Sequence, residues 1–117
     1  MTIDAETMAF AGHMCYRSNF AFKALAEHLA EWNGDFFPYL LMYNLAQAIR
    51  SADQFEPDHI KFLSILDSEL SSGTDGSCSL VNTGFIEKLS PPSKEMLERI
   101  ANFPNLVRSY KEIFGVL

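Results

Sequence analysis

The chain has 117 residues, 48% of them apolar, with ten Phe, four Tyr and one Trp. That length suits one domain spanning residues 1–117, and the aromatic load requires a real core. A net charge of −6 argues against nucleic acid as a partner, because Lys and Arg supply nearly all of that affinity.

Helical periodicity dominates from the start. Asp4 is placed to cap a first helix in "TIDAETMAFAGHMCYRSN", with Met8, Ala11 and Cys15 along one face. Gly12 and the Arg17-Ser18-Asn19 cluster interrupt that pattern, so residues 1–18 are expected as a loosely attached N-terminal helix. In "SNFAFKALAEHLAEWNG", Phe22, Leu25, Ala26, Leu29 and Trp32 follow helical spacing and should face inward, while Lys23, Glu27 and Glu31 face solvent. Asn33-Gly34 is a stop signal.

Pro38 fits the first turn of the next helix, where no amide donor is needed. Leu41, Leu45, Ala48 and Ile49 form its broad apolar face, and Phe36, Phe37, Leu40 and Met42 make it central. Pro57 opens a further helix that ends at Gly73, with Phe62, Leu63, Leu66 and Leu70 buried and Ile65 on the flank. Asp75 or Ser77 in "TDGSCS" should cap the helix "LVNTGFIEKL". Within it Gly84 lies on the apolar side beside Val81, Phe85 and Leu89, where a missing Cβ lets another helix come close. Ser90 or Ser93 caps the helix in "SPPSKEMLERIANFP", and Pro104 precedes a last helix carrying Leu106, Val107, Tyr110, Ile113 and Phe114. The expected fold is all-α: a single compact domain of five to six antiparallel helices, as a bundle or short helical array.

No reaction is written in these residues. His28 in "EHLAE" has Glu31 three residues on, but the paired Glu-x-x-His of a carboxylate-bridged metal site is missing, so a polar helix face is expected, with no metal or cofactor. His13 and Cys15 point to different sides of a helix, and His59 in a first turn reads as a surface residue. Phosphate-binding glycine loops and a GxSxG elbow are absent. Cys15 and Cys78 are expected as reduced thiols in a cytoplasmic protein. Asp4 and Glu6 occupy the place of a cationic leader segment, and the apolar run 36–46 is about half of the ~20 residues that span a bilayer.

Charge is unevenly placed. Residues 27–75 hold nine acids against Arg50 and Lys61, a local charge of −7, while five bases exceed three acids from Lys88 onward. Helix dipoles explain single acids such as Asp35, Asp58 and Asp75; the collective charge suits an acidic surface that steers a basic partner. The order "FFPYLLMYNLAQAI", "FLSILDSEL", "LVNTGFIEKL" resembles a family of small, acidic, all-helical bacterial proteins found with toxin systems and regarded as immunity proteins. The likeness covers roughly residues 20–90 and is carried by a helix starting near Pro-Tyr-Leu and by Leu80, Val81, Phe85, Ile86, Glu87 and Leu89. These are core positions, so the resemblance assigns no binding residue. It implies an immunity-type binding protein that occludes a cognate toxin's active site or groove. From the charge pattern, Glu56, Asp58, Asp67, Glu69 and Asp75 are the expected partner-binding residues. A homodimeric helical module and an enzyme of unrecognised chemistry are the alternatives.

Overall fold

Local chemistry sets where each helix begins. In the computed structural model, which describes residues 4–115, the Asp4 carboxylate accepts the Thr7 N–H at 2.8 Å and starts α1 (Ala5–Arg17). Ser18 then accepts the Ala21 N–H at 3.1 Å and starts α2 (Asn19–Glu31). Asn33 at φ 54° and Gly34 at φ 89° end α2, and the Gly34 N–H donates back to the Leu29 carbonyl at 2.7 Å. Pro38 and Pro57 sit in the first turns of α3 (Pro38–Ser51) and α4 (Pro57–Ser72). Thr74 caps α5 (Asp75–Ser79) in a reciprocal pair with Ser77, and Ser93 caps α6 (Lys94–Arg99) by accepting the Met96 N–H at 3.0 Å. Pro104 opens α7 (Pro104–Phe114). All regular structure among the described residues is helical.

Three expectations change. α1 runs unbroken through Gly12 and contributes Phe10, Ala11, Met14 and Cys15 to the core, while Met8 faces solvent. The helix read as starting near Leu80 begins at Asp75, because Thr74 rather than Asp75 or Ser77 supplies the cap. From Ser79 it passes straight into a π-helical stretch, Leu80–Phe85, and a 3-10 turn, Ile86–Leu89. The α-helices therefore number seven among the described residues, not five or six.

The core forms where α3 lies along the π-helical stretch, burying Leu41, Met42, Leu45 and Ile49 against Leu80, Val81 and Phe85. Gly84 lets them approach: a Cβ built there would lie 3.1 Å from Met42 Cβ and 3.3 Å from Tyr39 Cδ1. α4 inserts Phe62, Leu63 and Leu66, none of them accessible, as the spacing predicts. α7 closes the core with Tyr110, whose hydroxyl accepts the Ser93 N–H at 2.8 Å and so ties α7 to the start of α6. Arg99 donates to the carbonyl of Ala52 at the end of α3 and lies over the Phe55 ring at 4.2 Å. The radius of gyration is 13.4 Å, matching the roughly 13 Å expected of a folded chain of this length.

Candidate functional site

The five acids expected to meet a partner do not form one surface. Asp67 is half-buried, and its Oδ1 accepts the Asn105 N–H at 2.8 Å and the Leu106 N–H at 3.2 Å. It therefore caps α7 from across the fold. Glu69 lies two positions on, which turns it to another side of α4, into a cleft with His13, Arg17 and Lys61. Glu56 and Asp58 are exposed at the start of α4, and Asp75 is exposed at the start of α5. Asp67→Ala should cost about 1–3 kcal/mol of stability in urea denaturation, since two amides lose a charged acceptor. Asp67→Asn, which keeps an acceptor oxygen, should recover most of that. Asp58→Ala should stay within about 0.5 kcal/mol.

The histidine read as part of a polar surface is in the core. His28 is 1% exposed, and its Nε2 accepts the Phe37 N–H at 3.0 Å. That bond fixes the neutral tautomer with the proton on Nδ1, an atom that is buried without a partner among the described residues. The ring stands edge-on to Phe36 at 5.8 Å and Phe37 at 6.0 Å, so His28 pins the α2–α3 connection. Its one free lone pair is thereby used, and no acceptor is left for a substrate proton.

Burial holds the His28 pKa below its ordinary value of 6.5, partly opposed by the Glu31 carboxylate. The fold thus favours neutral His28, and its contribution is complete above the unfolded pKa. Stability should fall as pH drops below about 6.5, because the unfolded chain then binds more protons. The wild-type loss between about pH 7 and 5 should exceed that of His28→Gln, measured by urea midpoint at each pH. Equal slopes would show that the native ring titrates freely.

Neither thiol is poised for chemistry. Burial pushes Cys15 up to about 11, and its Sγ faces the Ala21 carbonyl at 3.9 Å. Cys78 is raised by burial first and then by Glu69 and Asp75. His13 is exposed and stands apart from Cys15, as the two-residue spacing requires. Among the described residues no group of three or more His, Cys, Asp or Glu is placed to share a metal ion. None of their helices is long and apolar enough to cross a membrane.

The feature that remains is an apolar face. The stripe expected to turn α2 inward is largely outside: Phe22 is 58% exposed, and Ala26 and Trp32 are exposed too. Ala21 and His28 are the residues of α2 that are fully buried, with Ala24 half-buried beside them. Ala21 and Ala24 let α2 lie close to the core, with Phe20 and Leu25 packed at its edge, and that leaves Phe22, Ala26 and Trp32 facing out. Tyr16, 88% exposed, stands on α1 across a groove of about 460 Å³ lined by Gly12, Cys15, Asn19, Phe22 and Leu25.

Met8, Gly12, Tyr16, Asn19, Phe22, Ala26 and Leu29 thus form a strip without a charged residue. Lys23, Glu27 and Glu31 turn to the cleft between α2 and α3, while Glu6, His13 and Arg17 turn toward clefts shared with α4 or Thr74. The sequence holds this face as a correct period, but period alone does not say what covers a stripe. Ala21, Ala24 and His28 repeat just as regularly, and the small size of the two alanines was the available signal. Neither a family model, a curated protein nor a solved structure matches the chain.

Proposed function

We propose that the chain is a non-catalytic protein-binding module, working in the cytoplasm, whose docking face is the α1–α2 strip on a bundle of antiparallel helices. The observation that carries this reading is the strip itself. In a chain with 21% charged residues, two adjacent helices present Tyr16 and Phe22 on a surface free of charge. Exposed aromatics flanked by small side chains are what a protein interface uses as anchors and pockets.

The charge distribution favours a second, more specific form. In it the chain is an immunity-type inhibitor, and exposed Glu56 and Asp58 at one end of α4, with Glu69 and Asp75 at the other, steer a toxin with a basic groove. Asp67 leaves that set because its carboxylate caps α7. The resemblance over residues 20–90 supports this form through core positions alone.

A tagged pull-down from the source organism's lysate, at low and high salt, tests both. Phe22→Glu should abolish the main bound protein, while Tyr43→Glu, an exposed aromatic of α3, should leave it bound. Capture that survives Phe22→Glu would refute the strip as the docking face. Loss at high salt together with loss in Glu56→Lys/Asp58→Lys would favour the steered-inhibitor form.

A further inference from the structure

We infer that His28 is a two-position acid switch at the α2–α3 connection. Neutral, its ring sits in the core and holds the Phe37 N–H. Protonated, it turns into the cleft between α2 and α3, pairs with Glu31 and releases the connection.

The bond at the connection works in one protonation state only. Nε2 accepts the Phe37 N–H at 3.0 Å through its lone pair. A proton taken from solvent occupies that lone pair, and two N–H groups then face each other. The other ring nitrogen gives no relief, because Nδ1 is already a buried donor without a partner among the described residues. At 1% exposure the charged ring would carry two unmatched donors, so it has to leave the site.

The fold supplies a place for it. His28 lines a cleft of about 380 Å³ between α2 and α3, together with Lys23, Glu27 and Glu31 of its own helix. Glu31 lies one turn on along the same side of α2, and its carboxylate already favours the charged ring. Lys23 opposes it, but two carboxylates outweigh one ammonium. α3 lines the cleft with Asn44, Leu45 and Ala48, none of them titratable. α4 brings His59 to 4.9 Å from the Phe20 ring at the cleft, and Asp35 in the connection is exposed.

The part released is small. Residues 32–37 are exposed apart from half-buried Phe36, whereas α3 keeps Leu41, Met42, Leu45 and Ile49 in the core whatever the ring does. Opening is therefore local, with the helices intact. Trp32 is the sole tryptophan and stands edge-on to Phe37 at 5.4 Å, so its emission reports the release.

The full chain is followed from about pH 8 to about pH 5, across the ordinary histidine range. The readouts are Trp32 emission, far-UV circular dichroism and the ¹⁵N spectrum of the His28 ring. Burial favours the neutral ring, so Trp32 emission should change in one step below about pH 6.5 while the helix signal holds. In the same step the ring should pass from the Nδ1–H tautomer to the doubly protonated form. Protection of the Phe37 amide from hydrogen exchange should fall at least about tenfold. His28→Gln, whose side-chain oxygen accepts the Phe37 N–H at any pH, should remove the step. Glu31→Gln should move it to lower pH.

Flat Trp32 emission, or a step that survives His28→Gln, overturns the switch. So does a helix signal lost together with the emission change, which is global unfolding, or a charged ring beside a Phe37 amide that stays protected. A step unmoved by Glu31→Gln overturns the turn toward that carboxylate. If His28→Gln does not fold, the wild-type ring spectrum assigns the step without it.

Discussion

Phe62→Ala is expected to remove about 3–5 kcal/mol of stability, with an unchanged denaturant slope. The ring is fully buried on α4 and meets Phe20 of α2 at 5.1 Å and Phe85 of the π-helical stretch at 5.6 Å, both edge-to-face. Three elements therefore lose contacts at once, and the cavity lies where helices held on several sides cannot close over it. Against the roughly 5–15 kcal/mol of a typical domain, this is about a fifth of the total or more. The control is in the same chain: Phe22→Ala, on the exposed strip, should change stability by no more than about 0.5 kcal/mol. Similar losses at the two positions would mean that Phe22 is structural, and the strip would lose its main anchor.

Gly84→Leu should cost about 3 kcal/mol, by overpacking rather than by a cavity. A Cβ at Gly84 would already stand 3.1 Å from Met42 Cβ and 3.4 Å from Met42 Cγ, and Met42 is itself fully buried. Gly84→Ala asks the neighbours to yield by only a few tenths of an ångström, and the gain of about 1 kcal/mol in helix propensity offsets much of that. Alanine should therefore be close to neutral and leucine severe. Combining Gly84→Leu with Met42→Ala should recover at least about 1 kcal/mol relative to the sum of the single effects, because the second change vacates the contested space. Additive losses would show that Gly84 is needed for the backbone and not for the approach of α3.

What the sequence made legible follows the range of the forces involved. Pro38, Pro57 and Pro104 open helices, Asp4 and Ser93 cap them, and Asn33-Gly34 ends one, because each acts on its own backbone within a turn. The α4 stripe and the close approach at Gly84 were also readable, since large apolar side chains surround both positions in sequence. The orientation of α2 was not, because two stripes on that helix repeat with one period and the choice belongs to its neighbours. His28 went with that choice. The role of Asp67 was hidden for another reason: the amides it accepts lie 38 and 39 residues away. For the same cause the five acids looked like one segment in sequence yet occupy different sides of the fold.

The inverted α2 connects sequence to function. Ala21, Ala24 and His28 turn inward, the His28–Phe37 bond holds the connection to α3, and Phe22 and Ala26 turn outward beside Gly12 and Tyr16. An apolar surface that could have been core is left exposed, and the proposed docking face is built on it.

The most direct measurement is the tagged capture compared side by side for the wild-type chain, Phe22→Glu and Tyr43→Glu. The account predicts that the protein held by the wild type is lost with Phe22→Glu and kept with Tyr43→Glu. A protein held equally by all three would contradict the assignment of the α1–α2 strip as the docking face.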